Sequence, residues 1–238
     1  MEQRTNEWYL ARLGKVTASK IADVIARTKS GFSTSRENYK AQLVAEIMTG
    51  KPYEGFKSAA MQDGIDREPA ARQRYADSVF EDVTEVGFVD HPAILRSGAS
   101  PDGLVGADGL VEIKCPLTAT HISYLLDDEV PEKYKPQMQW QMACTGRLWC
   151  DFVSFDDRMP ENLQMFVKRL ERDDCYIATL EEAIRRFLIE VDETVARKER
   201  QEHSFQKPLH HPRCRPHRRQ GGFGGSWDSY LPAHLYER

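Results

Sequence analysis

"SPDGLVGADGLVEIKCP", residues 100–116, is the stretch on which the reading of this chain turns. Its turn glycines and its Leu110, Val111 and Ile113 read as strand broken by tight turns. If "GLVEIKC" is a strand, its side chains alternate. Glu112 and Lys114 then share one face, and Ile113 points to the other, into the core. Asp102 precedes Glu112 across the "GADG" turn, and a hairpin or a bend brings it alongside. Two carboxylates converging on one point repel unless a cation sits between them. Oxygen ligands of this kind suit Mg²⁺ or Mn²⁺. Lys114 beside the same point could orient a water or stabilise developing negative charge. The bland alternative is a hairpin carrying an exposed cross-strand pair. Asp108 drops out as a turn residue in "GADG".

Two sequence features weigh against chance. Glu112–Lys114 is the only [DE]-x-K triplet among the twelve lysines. Glu68, in "DGIDREPAARQRYAD", lies on a predicted helix whose Ala70, Ala71 and Tyr75 can pack on a sheet. A helical glutamate aimed at the same centre supplies a further charged group. Its alternative role is an exposed i,i+4 pair with Arg72.

The bulk numbers bound the function. The chain has 238 residues, enough for one sizeable domain. No apolar run approaches the roughly 18 residues of a membrane span. "MEQRTNEWYLARLG" has no apolar signal region, so cytoplasmic residence is expected. Five scattered cysteines without a CxxC pair argue against a zinc ribbon or an iron–sulfur site. The net charge is −4, but residues 1–40 carry eight Lys/Arg against four Asp/Glu, and 203–238 carry six against two. The middle is therefore strongly acidic. That distribution is compatible with a carboxylate-rich site served by separate phosphate-binding groups.

Periodicity predicts helices at 17–27, 36–50 and 58–80, the last kinked or interrupted at Pro69. "SGFSTS" (30–35) reads as a flexible loop. Strands follow at "VTEVGFVDH" and "AILRSGASPD", then "GLVEIKC". Helices return at about 117–127 and 133–145, strands at 148–156 and 163–172, and a helix at about 177–200 closes the body. The order predicts an α/β (α+β mixed) fold, a central mixed β-sheet flanked by helices. The expected organisation is one domain over 1–202, then a flexible basic tail over 203–238 rich in Pro, Gly, His and Arg.

"SPDGL…EIKCP", preceded by the G-x-x-x-E of Gly64 to Glu68, resembles the PD-(D/E)xK nuclease superfamily. More narrowly, the chain resembles the lambda-exonuclease-type family of viral recombinase alkaline exonucleases. "EWYLARLGKVTASKIADVIARTKSG" (7–31), "YKPQMQWQM" (134–142) and "FDDRMPENLQMFVKRLERD" (155–173) resemble further segments of that family in the same order. The likeness spans about residues 7–200.

The resemblance implies a restriction-endonuclease-like core and a processive 5′→3′ exonuclease on linear double-stranded DNA. It implies release of 5′-mononucleotides and 3′ overhangs for a strand-annealing protein, within a homotrimeric ring encoded by a phage or prophage. It assigns Asp102, Glu112, the Ile113 carbonyl and Glu68 to two Mg²⁺ ions (Mn²⁺ may substitute), and Lys114 to the attacking water. It assigns the 5′-phosphate to Arg12, Ser19, Ser100 and Gln139. Among the glutamines, Gln137 and Gln141 share a helix face and Gln139 lies on another; the resemblance favours Gln139. Met61 corresponds to an apolar wedge at the terminal base pair, with a core methionine as the alternative. Lys29 stands where the family has a minor-groove arginine. Two other functions stay open on sequence grounds: an endonuclease or repair-complex module of the same superfamily, and a non-catalytic DNA- or partner-binding protein.

Overall fold

Leu110 and Glu112 point to one face of a strand while Val111 and Ile113 point to the other, and helices cover both faces. The computed structural model describes residues 1–205 apart from 30, 54, 56 and 57, with side chains described as far as residue 200. The first half runs Asn6–Arg12 (α1), Val16–Thr17 (β1), Ile21–Ile25 (α2), Arg27–Thr28 (β2), Gly31–Phe32 (β3), Thr34–Thr49 (α3) and Ala59–Val79 (α4). Then come Val83–Thr84 (β4), Val89–Asp90 (β5), Ser97–Ala99 (β6), Gly103–Val105 (β7) and Gly109–Lys114 (β8). The chain continues through Thr118–Asp127 (α5), Lys135–Thr145 (α6), Trp149–Phe155 (β9), Met165–Glu171 (β10) and Asp174–Phe205 (α7).

The main sheet has the order β10-β9-β8-β7-β4. Only β8 and β9 run parallel, with Glu112 opposite Phe152 and Lys114 opposite Ser154. The other neighbours are antiparallel, so the sheet is mixed, as expected. A parallel pair needs a long crossover, and α5 and α6 supply it. Those helices pack Tyr124, Met138 and Met142 on Leu110, Cys150 and Phe152. On the other face α4 lays Ala71 and Tyr75 on Val111, Ile113, Val153 and Phe155. Burying each large apolar side chain contributes about 1.5–3 kcal/mol, so a strand covered on both faces is strongly held. A charge on such a strand is costly unless paired. Glu112, only 1% exposed, therefore needs partners.

A second sheet, β1-β6-β5, packs with α2, α3, α6 and α7 in a separate core around Tyr39, Trp140, Ile184 and Phe187. Ser100–Asp102 is the link by which the chain leaves this small sheet at β6 and enters the large one at β7.

Several local expectations change. The helix expected at 17–27 forms over residues 18–25, a 3₁₀ turn at Ala18–Lys20 running into α2, while Thr17 joins Val16 in the short β1, parallel to Ser97 and Gly98. Thr17 is extended because its partner β6 is buried. The loop expected at 30–35 includes β3, paired with β2, and Ser33, whose side chain accepts from Arg36 N and starts α3. Residue 30 lies outside the described residues. The segment 83–91 is not one strand, because β4 belongs to the large sheet and β5 to the small one. Of 93–102, only Ser97–Ala99 is strand, while Gly103–Val105, assigned to no strand from the sequence, is β7. α4 runs through Pro69 unbroken, because the following turns are anchored by Ala71 and Tyr75. α7 starts earlier than expected and is longer, and residues 206–238 of the expected tail lie outside the described residues.

Candidate active site

The β7–β8 register pairs Gly103 with Val111 and Leu104 with Leu110, so one step further Asp102 faces Glu112. Asp102 Oδ2 accepts a hydrogen bond from Ile113 N at 2.7 Å. Arg72 Nε donates to the Asp102 carbonyl at 2.9 Å and fixes the link from the other side. Burial, and then the charge of Glu112, hold the Asp102 carboxyl well above the usual carboxylate range.

Glu112 has three partners. Gln137 Nε2 donates to Oε1, Gln141 Nε2 donates to Oε2, and Lys114 Nζ pairs with Oε1. Burial works to lower the Lys114 pKa, but Glu112 and Asp102 outweigh it and raise it. Lys114 is thus held as an ammonium. The i,i+4 spacing of Gln137 and Gln141 on α6 is what aims both amides at one carboxylate.

α4 brings Glu68 from the opposite side of the strand end. Gly64 makes this possible: a Cβ there would lie 3.1 Å from the Cys115 carbonyl oxygen. A helix-interior glycine costs about 1 kcal/mol relative to alanine, which the close helix–strand approach offsets. The alternative pairing of Glu68 with Arg72 does not form. Arg72 is taken by Asp102 and by Glu85 at 2.6 Å, and Glu68 Oε2 pairs with Arg4 instead. Glu68 raises the Asp102 pKa, so its charge reaches that centre.

Beside these acids opens a cavity of about 480 Å³, lined among others by Arg4, Trp8, Arg12, Ser19 and Lys20. Trp8 Nε1 donates to Ser100 Oγ at 2.9 Å, and Arg12 Nη1 donates to the same oxygen at 3.3 Å. The Arg12 guanidinium stacks 3.9 Å over the Trp8 ring. Among the described residues no carboxylate forms an ion pair with Arg12, and burial lowers its pKa. A half-buried guanidinium that forms no ion pair is suited to an anion.

The structure thus brings together Asp102, Glu112, Lys114 and Glu68, and beside them Arg12, Ser19 and Ser100. It does not bring in Gln139, whose amide donates to the Glu171 carbonyl at 2.7 Å and accepts from Asp173 N at 2.9 Å. Glu171 pairs with Trp149, and Trp149 with Gly109, at the end of β8 remote from Lys114. Gln137 lies at Glu112, not at the cavity. Lys29 is exposed in the β2–β3 turn, and Met61 is 57% exposed, so the core-methionine alternative for Met61 does not hold. Sequence reasoning missed Arg4, Trp8 and Arg72 as neighbours of the site; the i,i+4 glutamines were the one legible signal for Gln141.

The carboxylates do not already form a closed cage: among the described residues no three Asp, Glu, His or Cys side chains converge as a metal-binding group. Their chemistry nevertheless fits a hard divalent cation. Asp102 and Glu112 are facing carboxylates, Asp102 is bonded to the Ile113 backbone, and their mutual repulsion is only partly met by Lys114. No helix among the described residues is long and apolar enough to cross a membrane.

The chain is similar to known proteins in sequence and in fold. An alkaline exonuclease from Laribacter hongkongensis is 50% identical over 84% of this chain and 100% of its own, with a TM-score of 0.79. The same enzyme has also been solved in complex with dAMP, with the same similarity to this chain. A phage-related exonuclease from Haemophilus somnus 129PT shares the fold at 15% identity, with a TM-score of 0.64 over 77% of this chain and 96% of its own. No curated protein matches. The model of the YqaJ-like viral recombinase domain matches residues 7–148, and the chain belongs to that family.

Proposed function

We propose that the protein is a metal-dependent 5′→3′ exonuclease on linear double-stranded DNA, releasing mononucleotides and leaving 3′ overhangs for a strand-annealing protein. The observation that carries this reading is the facing pair Asp102 and Glu112 with Lys114 on the same edge, beside a cavity lined by a half-buried Arg12 that forms no ion pair among the described residues. Asp102, Glu112, the Ile113 carbonyl and Glu68 would hold two Mg²⁺ ions, with Mn²⁺ as a substitute. Such ions, when bound, supply charge stabilisation to an in-line displacement at phosphorus.

The chain's own groups do the rest. Gln137 and Gln141 fix the Glu112 carboxylate so that it cannot swing away from Asp102. Lys114, held protonated, orients a water and stabilises negative charge on the phosphate under attack. Arg12, Ser19 and Ser100 bind the 5′-terminal phosphate. Trp8 holds the Arg12 plane and the Ser100 hydroxyl in place. Met61, next to the cavity-lining Gln62, and Lys29 contact the duplex ahead of the site. Residues 1–202 act as a single nuclease domain, working as a processive homotrimeric ring in a phage-infected or lysogenic cytoplasm.

The test is a time course on end-labelled linear duplex with EDTA, Mg²⁺ and Mn²⁺ arms, beside covalently closed circles. Mononucleotides released from the 5′ end only with a divalent ion are expected. Cleavage of closed circles, or full activity of Asp102→Ala, overturns the reading.

A further inference from the structure

The segment before α1 forms a strap across the link that feeds the site. Gln3 Nε2 donates to the Val86 and Pro101 carbonyls, both at 2.8 Å. A Cβ on Gly87 would lie 2.5 Å from the Met1 carbonyl oxygen, so the strap seats against bare backbone. Thr5 then caps α1 by accepting from Trp8 N. Between these anchors Arg4 sits at φ 67°, the left-handed region that a non-glycine side chain adopts at a cost of about 1–2 kcal/mol. Strain of this kind persists only where the surroundings over-determine it. Here its result is specific: Arg4 reaches Glu68 with one guanidinium nitrogen, Nη2, while its side chain stays 42% exposed and lines the same cavity as Arg12 and Ser19.

We propose that Arg4 is a phosphate-binding residue that bridges the two halves of the site. One Nη holds Glu68; the remaining N–H donors of its flat fork face the cavity and bind the 5′-terminal phosphate together with Arg12. A guanidinium can do both because its five donors are fixed in one plane, and a lysine ammonium cannot reproduce that geometry. The spacing between the acids and the end phosphate is thereby set by one side chain. Phosphate recognition and placement of Glu68 become coupled. This rests on the proposed 5′-end-directed nuclease reading.

The experiment measures binding of 5′-phosphorylated and 5′-hydroxyl linear duplexes by anisotropy in Ca²⁺, and their digestion in Mg²⁺. It uses wild type, Arg4→Gln, Arg4→Lys and Gln3→Ala, with thermal midpoints alongside. Wild type should prefer the phosphorylated end. Arg4→Gln should cut that preference by about tenfold, the loss of a charge-assisted hydrogen bond. Arg4→Lys should restore little of it, and Gln3→Ala, which loosens the strap without touching Arg4, should lower it in part. If Arg4→Gln is unfolded, Arg4→Lys is read in its place. A wild-type preference in either Arg4 variant that folds overturns the assignment. A wild type that neither digests DNA nor distinguishes the two ends overturns the underlying reading instead.

Discussion

Gln141, fully buried on α6, donates its amide to Glu112, a carboxylate buried on the adjoining strand. The acid expected to hold metal is thus anchored from a helix 29 positions later in the chain. Replacing Gln141 by Leu leaves that carboxylate one donor short. An unsatisfied buried acceptor costs about 1–3 kcal/mol, more when charged. Gln141→Leu should lower stability by that amount in urea titration and slow DNA digestion at least tenfold. In a Glu112→Gln background the same change should cost less, since the two residues share one interaction. Equal costs in both backgrounds would sink this account.

Arg12 and Gln139 should separate cleanly. Arg12→Ala removes the half-buried cation that lines the cavity, so the preference for phosphorylated over hydroxyl DNA ends should collapse. Gln139→Ala breaks two hydrogen bonds at the β10–α7 junction and should lower the thermal midpoint while leaving end preference as it was. A selective loss of end preference in Gln139→Ala would return that residue to the site.

Gly64→Ala tests the helix approach. The added methyl gains about 1 kcal/mol of helix preference but meets the Cys115 carbonyl oxygen at 3.1 Å. Stability should change by less than about 1 kcal/mol, while digestion falls roughly tenfold as Glu68 is pushed from Asp102. Unchanged kinetics would show that α4 can shift without consequence.

Acid stability has a separate anchor. Burial works to raise the Asp156 pKa, but the Arg158 guanidinium and the Thr118 hydroxyl outweigh it and hold the carboxyl at about 2. A carboxyl depressed in the folded state stabilises above its unfolded pKa and loses that contribution as pH falls through the folded value. Asp156→Asn should therefore be less stable than wild type at pH 7, and the gap should close between about pH 4 and pH 2. Equilibrium unfolding across that range is the measurement; a constant gap would exclude the ion pair as its source.

Much of the site was legible because strand geometry is local. Alternation along "GLVEIKC" puts Glu112 with Lys114 and Ile113 on the core side, and both follow from the period of two. The mixed sheet was legible from the change of periodicity along the chain. The exact strand pairing was not. Val16–Thr17 has no strand signature of its own; it is extended because β6 offers it hydrogen bonds, a partner some eighty residues away. Gln139 shows the same limit, since its neighbours do not reveal which helix face meets the sheet end at Glu171.

By itself, then, the sequence determined which residue types could carry metal-dependent phosphodiester chemistry, and that Glu112 and Lys114 share a face. Tertiary structure alone decided that Asp102 stands opposite Glu112, that Glu68 meets Arg4 rather than Arg72, and that Gln137 and Gln141 serve the carboxylate. The physical reason is range: side-chain alternation is set by each residue's own backbone angles, whereas register and helix docking are set by buried partners far along the chain.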